Sequence, residues 1–390
     1  MDYRAKKILL IIGMVLIALN LRPALAGVGP LISDIRDATG LSNAMLGLLT
    51  SLPLMAFGIL SALTRLVSSR LGIERTIALA LGLLAGGVLL RVIPGNPALF
   101  GGTLLVGVAI AFGNVLLPTL VKRDFPNHSG ILTSIYSSML GLGAALASGV
   151  SVPLAHDWGW GWRWSLGAWA IPALAALLIW LPQLKNVTIP QQNIRFIHSF
   201  KVIIRSKMAW NIAVYMGLQS FAFYVVLAWL PEIFQHGGLS PNAAGWMLSL
   251  SQGTGVAGSL LIPALAAGMT NQRIIVWILM ICEAVSIIGL MLPYPSLMVF
   301  WAGLIGFSLG GCFGLALLFL VLRSNDTETA NELSGMVLSI GFIIAASGPA
   351  LFGALYDWTQ VWNIPLFFLL MIAVLKLLSG LGASQPRFVK

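Results

Sequence analysis

Only 9% of this 390-residue chain is Asp, Glu, Lys or Arg, and 58% of it is hydrophobic. Ordinary soluble domains carry about 25% charged residues. So few charges cannot cover a water-soluble globule of this size. Soluble enzymes, nucleic-acid binders and disulfide-stapled secreted scaffolds are poor readings from the start. A bilayer removes the difficulty, because there the surface has to be apolar. A spanning helix needs about 20 apolar residues, so twelve helices use roughly 240 and leave short connections.

The apolar runs predict spans at 8–32, 43–67, 75–94, 98–121, 130–155 and 163–182, then 209–234, 241–268, 273–293, 296–322, 332–356 and 361–382. The runs are too long for barrel strands, and lipid offers a backbone no outside hydrogen-bond partner, so all twelve are read as helices. The fold class is therefore all-α integral membrane. Ala24-Leu25-Ala26 has the form of a signal-peptidase site, but Arg22 interrupts the preceding run and a further apolar segment follows at once. The segment is read as a retained span. With the N-terminus inside, 18 of the 22 Lys and Arg fall on the inner side. Only Arg36, Arg91 and Arg163 fall outside, and Arg22 lies within a span. This asymmetry predicts cytoplasmic termini and explains the net charge of +10 without a nucleic-acid partner. The stretch His156–Trp164, with four tryptophans, predicts an aromatic belt at one interface.

The basic stretch 183–208 separates six spans from six, predicting an N-terminal bundle at 1–182, a cytoplasmic linker at 183–208 and a C-terminal bundle at 209–390. The halves repeat. Gly40-Leu41-Ser42, Gly47 and Ser51 recur 198 residues later as Gly238-Leu239-Ser240, Gly245 and Ser249. Asp157-Trp158 recurs 200 residues later as Asp357-Trp358. A parallel duplication about an axis along the membrane normal is the simplest source of such a pattern.

Polar residues inside the spans are the site candidates. Arg22 is foremost, because a charge in the bilayer costs about 2.5–3.5 kcal/mol on insertion scales and must face protein or water. Pro23 beside it frees the carbonyl of Leu19, and Gly27, Gly29 and Pro30 follow. A cation on a Pro- and Gly-interrupted span is the expected form of a site on a broken helix. Its planar donor fork suits a carboxylate-like or nitro-like pair of oxygens, or a small anion. Snorkelling is the structural alternative. Gln219, Asn114, Tyr136 and Gln252 are second-rank contacts, each with interhelical bonding as its alternative. Phe223 or Trp229 is placed to cover an aromatic ring. Glu283, midway along the ninth span, is either a proton-coupling carboxyl or a buried structural one, and the structural role is preferred. Gly306, Gly310 and Gly314, four apart, predict a close helix–helix contact. No phosphate-binding loop, metal-ligand spacing or catalytic set is present in the sequence, so no cofactor, no metal and no enzymatic activity are expected.

Several segments resemble the cyanate/nitroimidazole transporter (CynX/NimT) family of the major facilitator superfamily. They are Asn20-Leu21-Arg22-Pro23-Ala24 with Val28-Gly29-Pro30-Leu31, and Gly113-Asn114-Val115-Leu116-Leu117-Pro118 running to Lys122-Arg123-Asp124-Phe125-Pro126. Gly217-Leu218-Gln219-Ser220 and Trp229-Leu230-Pro231 add to them. The resemblance implies twelve helices in two six-helix bundles related by pseudo-twofold symmetry. It also implies a peripheral ninth helix and a transporter of small polar or anionic solutes with Arg22 at its site. One departure stands out: Ser69 occupies the place of an Asp that the superfamily usually carries between the second and third spans, so the cytoplasmic gate either lacks that interaction or uses Glu74 instead.

The combined expectation is a secondary active or facilitative transporter of a cyanate-like or nitro-bearing solute. It would be a monomer in the bacterial inner membrane, its halves rocking about a central site. The rivals are a membrane-embedded enzyme and a non-transporting solute sensor.

Overall fold

The protein is described by a computed structural model covering residues 3–185, Thr188, 204–292, 295–325 and 327–389. Twelve helical segments among the described residues are long and apolar enough to cross a membrane. Their outward faces are apolar, as lipid requires. In the ninth span, Arg273–Leu290, the exposed residues include Ile274, Trp277, Ile278, Ile281 and Ile288, whereas Val276, Leu279, Glu283 and Ser286 are buried. The twelfth span, Asn363–Ala383, exposes Phe367, Met371, Val374 and Leu378 and buries Leu369, Ala373, Lys376 and Gly380. The helical period thus sorts polar groups inward and alkyl groups outward, the reverse of a soluble helix.

The chain divides into two compact units: Met1–Gly40 with Leu52–Gln192, and Leu41–Ser51 with Asn193–Lys390. The first span of the first unit, Ile8–Thr39, is not one helix. A helix over Tyr3–Asn20 stops before Arg22, and a short helix Pro23–Ala26, a tight turn Gly29–Leu31 and a helix Ile32–Thr39 complete the crossing. The sixth span is also composite, with helices Gly161–Gly167 and Ala170–Trp180. Just before and within it lies the expected aromatic belt: Trp158, Trp160 and Trp164 are exposed, and Arg163 stacks over Trp162 at 4.2 Å. His156 and Asp34 meet at 3.0 Å and tie the end of the fifth span to the broken first one.

The basic stretch 183–208 lies mostly outside the described residues. Its start is held by Glu74, which is 2% exposed. One carboxylate oxygen of Glu74 accepts from Arg123 at 2.8 Å and the other from the Thr188 amide at 2.7 Å. Arg123 also chelates its neighbour Asp124. Glu74 is thus occupied inside the first unit.

In the second unit the seventh span is a single helix, Lys207–His236, despite Pro231. The tenth span, Met298–Leu322, lies against the eighth, Pro241–Ala267, through its spaced glycines. A β-carbon on Gly306, Gly310 or Gly314 would collide with the carbonyl oxygens of Ser251, Gly255 and Ser259 respectively. The start of the second-span helix belongs to this unit as well. Asp357 accepts from the amides of Asn43 at 3.1 Å and Ala44 at 2.8 Å, so a carboxylate satisfies the positive end of that helix.

The sequence repeat has a conformational cause. Gly40 and Gly238 both adopt positive φ, +66° and +97°. In each case a serine two residues on, Ser42 or Ser240, caps the next helix through an amide at 3.3 Å.

Three residues counted as loop charges are in fact interior. Lys376 and Arg323, among those counted on the inner side, are buried, and so is Arg91, counted on the outer one. All three stems fold inward to polar partners instead of reaching for water.

Candidate functional site

The first candidate, Arg22, lies at the break in the first span. Pro23 has no amide hydrogen, so the helix cannot continue through it without leaving the Leu19 carbonyl unpaired. The chain turns at Arg22, whose carbonyl accepts from the amides of Leu25 at 3.1 Å and Ala26 at 3.0 Å. Arg22 is half-buried at the start of Pro23–Ala26. Helix ends expose backbone dipoles, and this one carries a cation beside them.

Neighbouring helices press close on the break because they lack side chains there. A β-carbon on Gly143 of the fifth span would strike the Leu19 oxygen, and one on Gly113 of the fourth span would strike the Leu21 side chain. Asn114 follows Gly113 and is half-buried; Tyr136, two turns before Gly143, is also half-buried. The structure therefore gathers Arg22, Asn114 and Tyr136 onto three adjoining elements of the first unit. Asn20, next to the break, donates to the carbonyls of Leu16 at 2.8 Å and Pro172 at 3.1 Å. It holds the first span to the sixth.

Sequence reasoning did not find Arg91. Its guanidinium donates to the Ala24 carbonyl at 2.7 Å and to the Thr103 hydroxyl at 3.1 Å. Its place after the third span reads as a loop charge in the sequence, and no local signal marks it as interior.

The second-unit candidates divide. Gln219 is buried, donates to the Leu309 carbonyl at 3.0 Å and accepts from Ser220 at 3.1 Å. Trp229 is buried and donates to the Pro349 carbonyl at 2.9 Å. Both side chains are committed to holding helices together. Gln252 is buried on the eighth span, and Phe223 is half-buried with its ring edge-on to Tyr224 at 5.1 Å. Glu283 forms an ion pair with Lys376, and neither is more than 1% exposed. Among the described residues no three His, Cys, Asp or Glu side chains converge to hold a metal ion.

The sequence profile described as Major Facilitator Superfamily matches residues 8–349. The chain belongs to this superfamily. Within it the chain falls in the cyanate/nitroimidazole transporter (CynX/NimT) family. It is 38% identical over 389 residues to the 2-nitroimidazole transporter of Escherichia coli (strain K12), covering 98% of this chain and 97% of that one. It is 31% identical over 355 residues to the cyanate transport protein CynX of the same organism, covering 88% of each. A solved bacterial homologue of the human lysosomal transporter Spinster, in an inward-facing and occupied conformation, superposes with a TM-score of 0.80. It is 13% identical, with 98% of this chain and 97% of that chain covered, and so shares the fold. The superfamily member described here is a multi-pass membrane transporter of small solutes.

Proposed function

We propose that the transported solute is a small anion or a nitro-bearing heterocycle and that Arg22 holds its negative oxygens. The observation that carries this is a half-buried guanidinium at a helix break into which two neighbouring helices present glycine. Arginine's fork matches paired oxygens in plane, whereas an ammonium offers only a point charge. The relatives named for 2-nitroimidazole and for cyanate support this chemistry, because a nitro group offers two partially negative oxygens in one plane and cyanate is a small anion.

Asn114 and Tyr136 supply neutral hydrogen bonds from the same unit, and Gln252 and Phe223 are the second-unit candidates. Gln219 and Trp229 act in packing. The pairing of Glu283 with Lys376 favours a structural carboxylate over a proton carrier. Helix bundles ending near 182 and resuming near 209, with cytoplasmic termini, in a bacterial inner membrane with a monomer as the working form, complete the reading. The basic bias of the loops supports that orientation, and it survives the reassignment of Arg91, Arg323 and Lys376.

The test is uptake of cyanate and of 2-nitroimidazole into proteoliposomes. Arg22→Ala is expected to abolish saturable uptake while the purified protein keeps its melting temperature. Arg22→Lys is expected to retain a fraction with a raised KM. Undiminished uptake by a folded Arg22→Ala protein removes Arg22 from the site.

A further inference from the structure

Arg91 is the buried charge that the proposed site leaves unexplained. Among the described residues no carboxylate pairs with it; its acceptors are the Ala24 carbonyl and the Thr103 hydroxyl. Thr103 donates its own proton to the Leu99 carbonyl at 2.7 Å, so its lone pair is aimed at the guanidinium. The stem of Arg91 runs past Gly102, where a β-carbon would strike its Cγ. One terminal nitrogen, Nη2, is buried without a hydrogen-bond partner. A buried donor without an acceptor is destabilising, and so is a buried cation without an anion. Stability alone therefore gives poor reason for an arginine here.

The Ala24 carbonyl supplies the reason. At the break, the amides of Leu25 and Ala26 turn back to Arg22, that of Gly27 to Pro23 and that of Val28 to Leu25. Ala24 is passed over, and Arg91 takes the carbonyl left behind. The internal repeat supplies a control within the same chain. Positions 198 residues beyond Arg91 and Thr103 are Gly289 and Trp301, and these two also touch, the glycine lying against the indole ring. The second unit keeps the contact but not the charge, and its seventh span is an unbroken helix over Lys207–His236. The guanidinium accompanies the break.

We propose that Arg91 is a positioning residue for solute binding: by holding the Ala24 carbonyl it fixes the Pro23–Ala26 turn and thereby the direction in which Arg22 leaves the chain. This inference rests on Arg22 being the solute ligand. Thr103 sets the plane of the guanidinium and belongs to the same device.

The experiment compares Arg91→Lys, Thr103→Val and Arg22→Ala with the parent, measuring KM and maximal rate for 2-nitroimidazole and cyanate in proteoliposomes and melting temperature in detergent. Lys at 91 keeps the charge but loses the fork. It is expected to raise KM about tenfold, equivalent to about 1.4 kcal/mol, with the maximal rate changed far less. Thr103→Val is expected to raise KM a few-fold with little change in melting temperature, and Thr103→Ser to restore it. If Arg91→Lys does not fold, Thr103→Val and its serine rescue decide. A lowered melting temperature with KM unmoved in both variants would reduce Arg91 to a structural pin and overturn the proposal. Should Arg22→Ala itself leave KM unmoved, the solute-site reading falls first, and the positioning role falls with it.

Discussion

Two buried cations, Lys376 in the second unit and Arg91 in the first, are kept in opposite ways. In the second unit Lys376 and Glu283 meet inside the bundle and cancel, on continuous helices whose other faces are apolar. In the first unit Arg91, beside the broken helix, is satisfied by a carbonyl and a hydroxyl, not by a carboxylate. A cancelled pair has nothing left to offer a ligand. At the same break Arg22 is half-buried, whereas Arg91 is sealed.

The largest expected effect tests the cancelled pair. Lys376→Met alone strands the Glu283 carboxylate in the bundle and is expected to cost about 3–5 kcal/mol. Combining it with Glu283→Leu removes both charges and is expected to recover most of that loss, as read by thermal unfolding of the single and double variants. A double variant that is well folded yet transports nothing would give the pair a working role and erase the contrast between the units.

A smaller effect sharpens the contrast at matched positions. Gly143 presses on the Leu19 carbonyl beside the break, whereas Gly341, 198 residues on, meets Met216 with its nearest atom at 3.3 Å. Gly143→Ala is therefore expected to cost about 1–3 kcal/mol through overpacking and to weaken solute binding. Gly341→Ala is expected to be nearly neutral. Equal losses at both sites, in side-by-side melting curves, would mean that the break imposes no special fit.

The smallest effect concerns Gln219, which lies one residue from the position 198 beyond Arg22. Its carboxamide bridges to Leu309 and Ser220. Gln219→Leu is expected to cost about 0.6–1.7 kcal/mol, the range for interhelical hydrogen bonds in membranes, and to leave KM within twofold. A tenfold rise in KM would return Gln219 to the solute.

Much of the architecture was legible before any coordinates. Apolar run length against bilayer thickness sets the number and type of spans, because lipid leaves the backbone only one local solution. Pro23 beside Arg22 announces the break, since a missing amide acts on its own helix and needs no partner elsewhere. The repeated Gly-Leu-Ser is likewise local: a left-handed glycine followed by a serine cap.

What only the tertiary structure decided is which partners distant polar groups find. Helical periodicity puts Glu283 and Lys376 each on an interior face, but 93 residues separate them and nothing in either span names the other. Arg91 sits at the end of its helix, where the sequence allows an arginine to turn toward water or toward protein with equal ease. The choice depends on whether a carbonyl lies within reach of its stem, and that carbonyl is 67 residues away on a different span. Length and local chemistry act along the chain and can be read there; pairing across helices is a property of how the bundle closes.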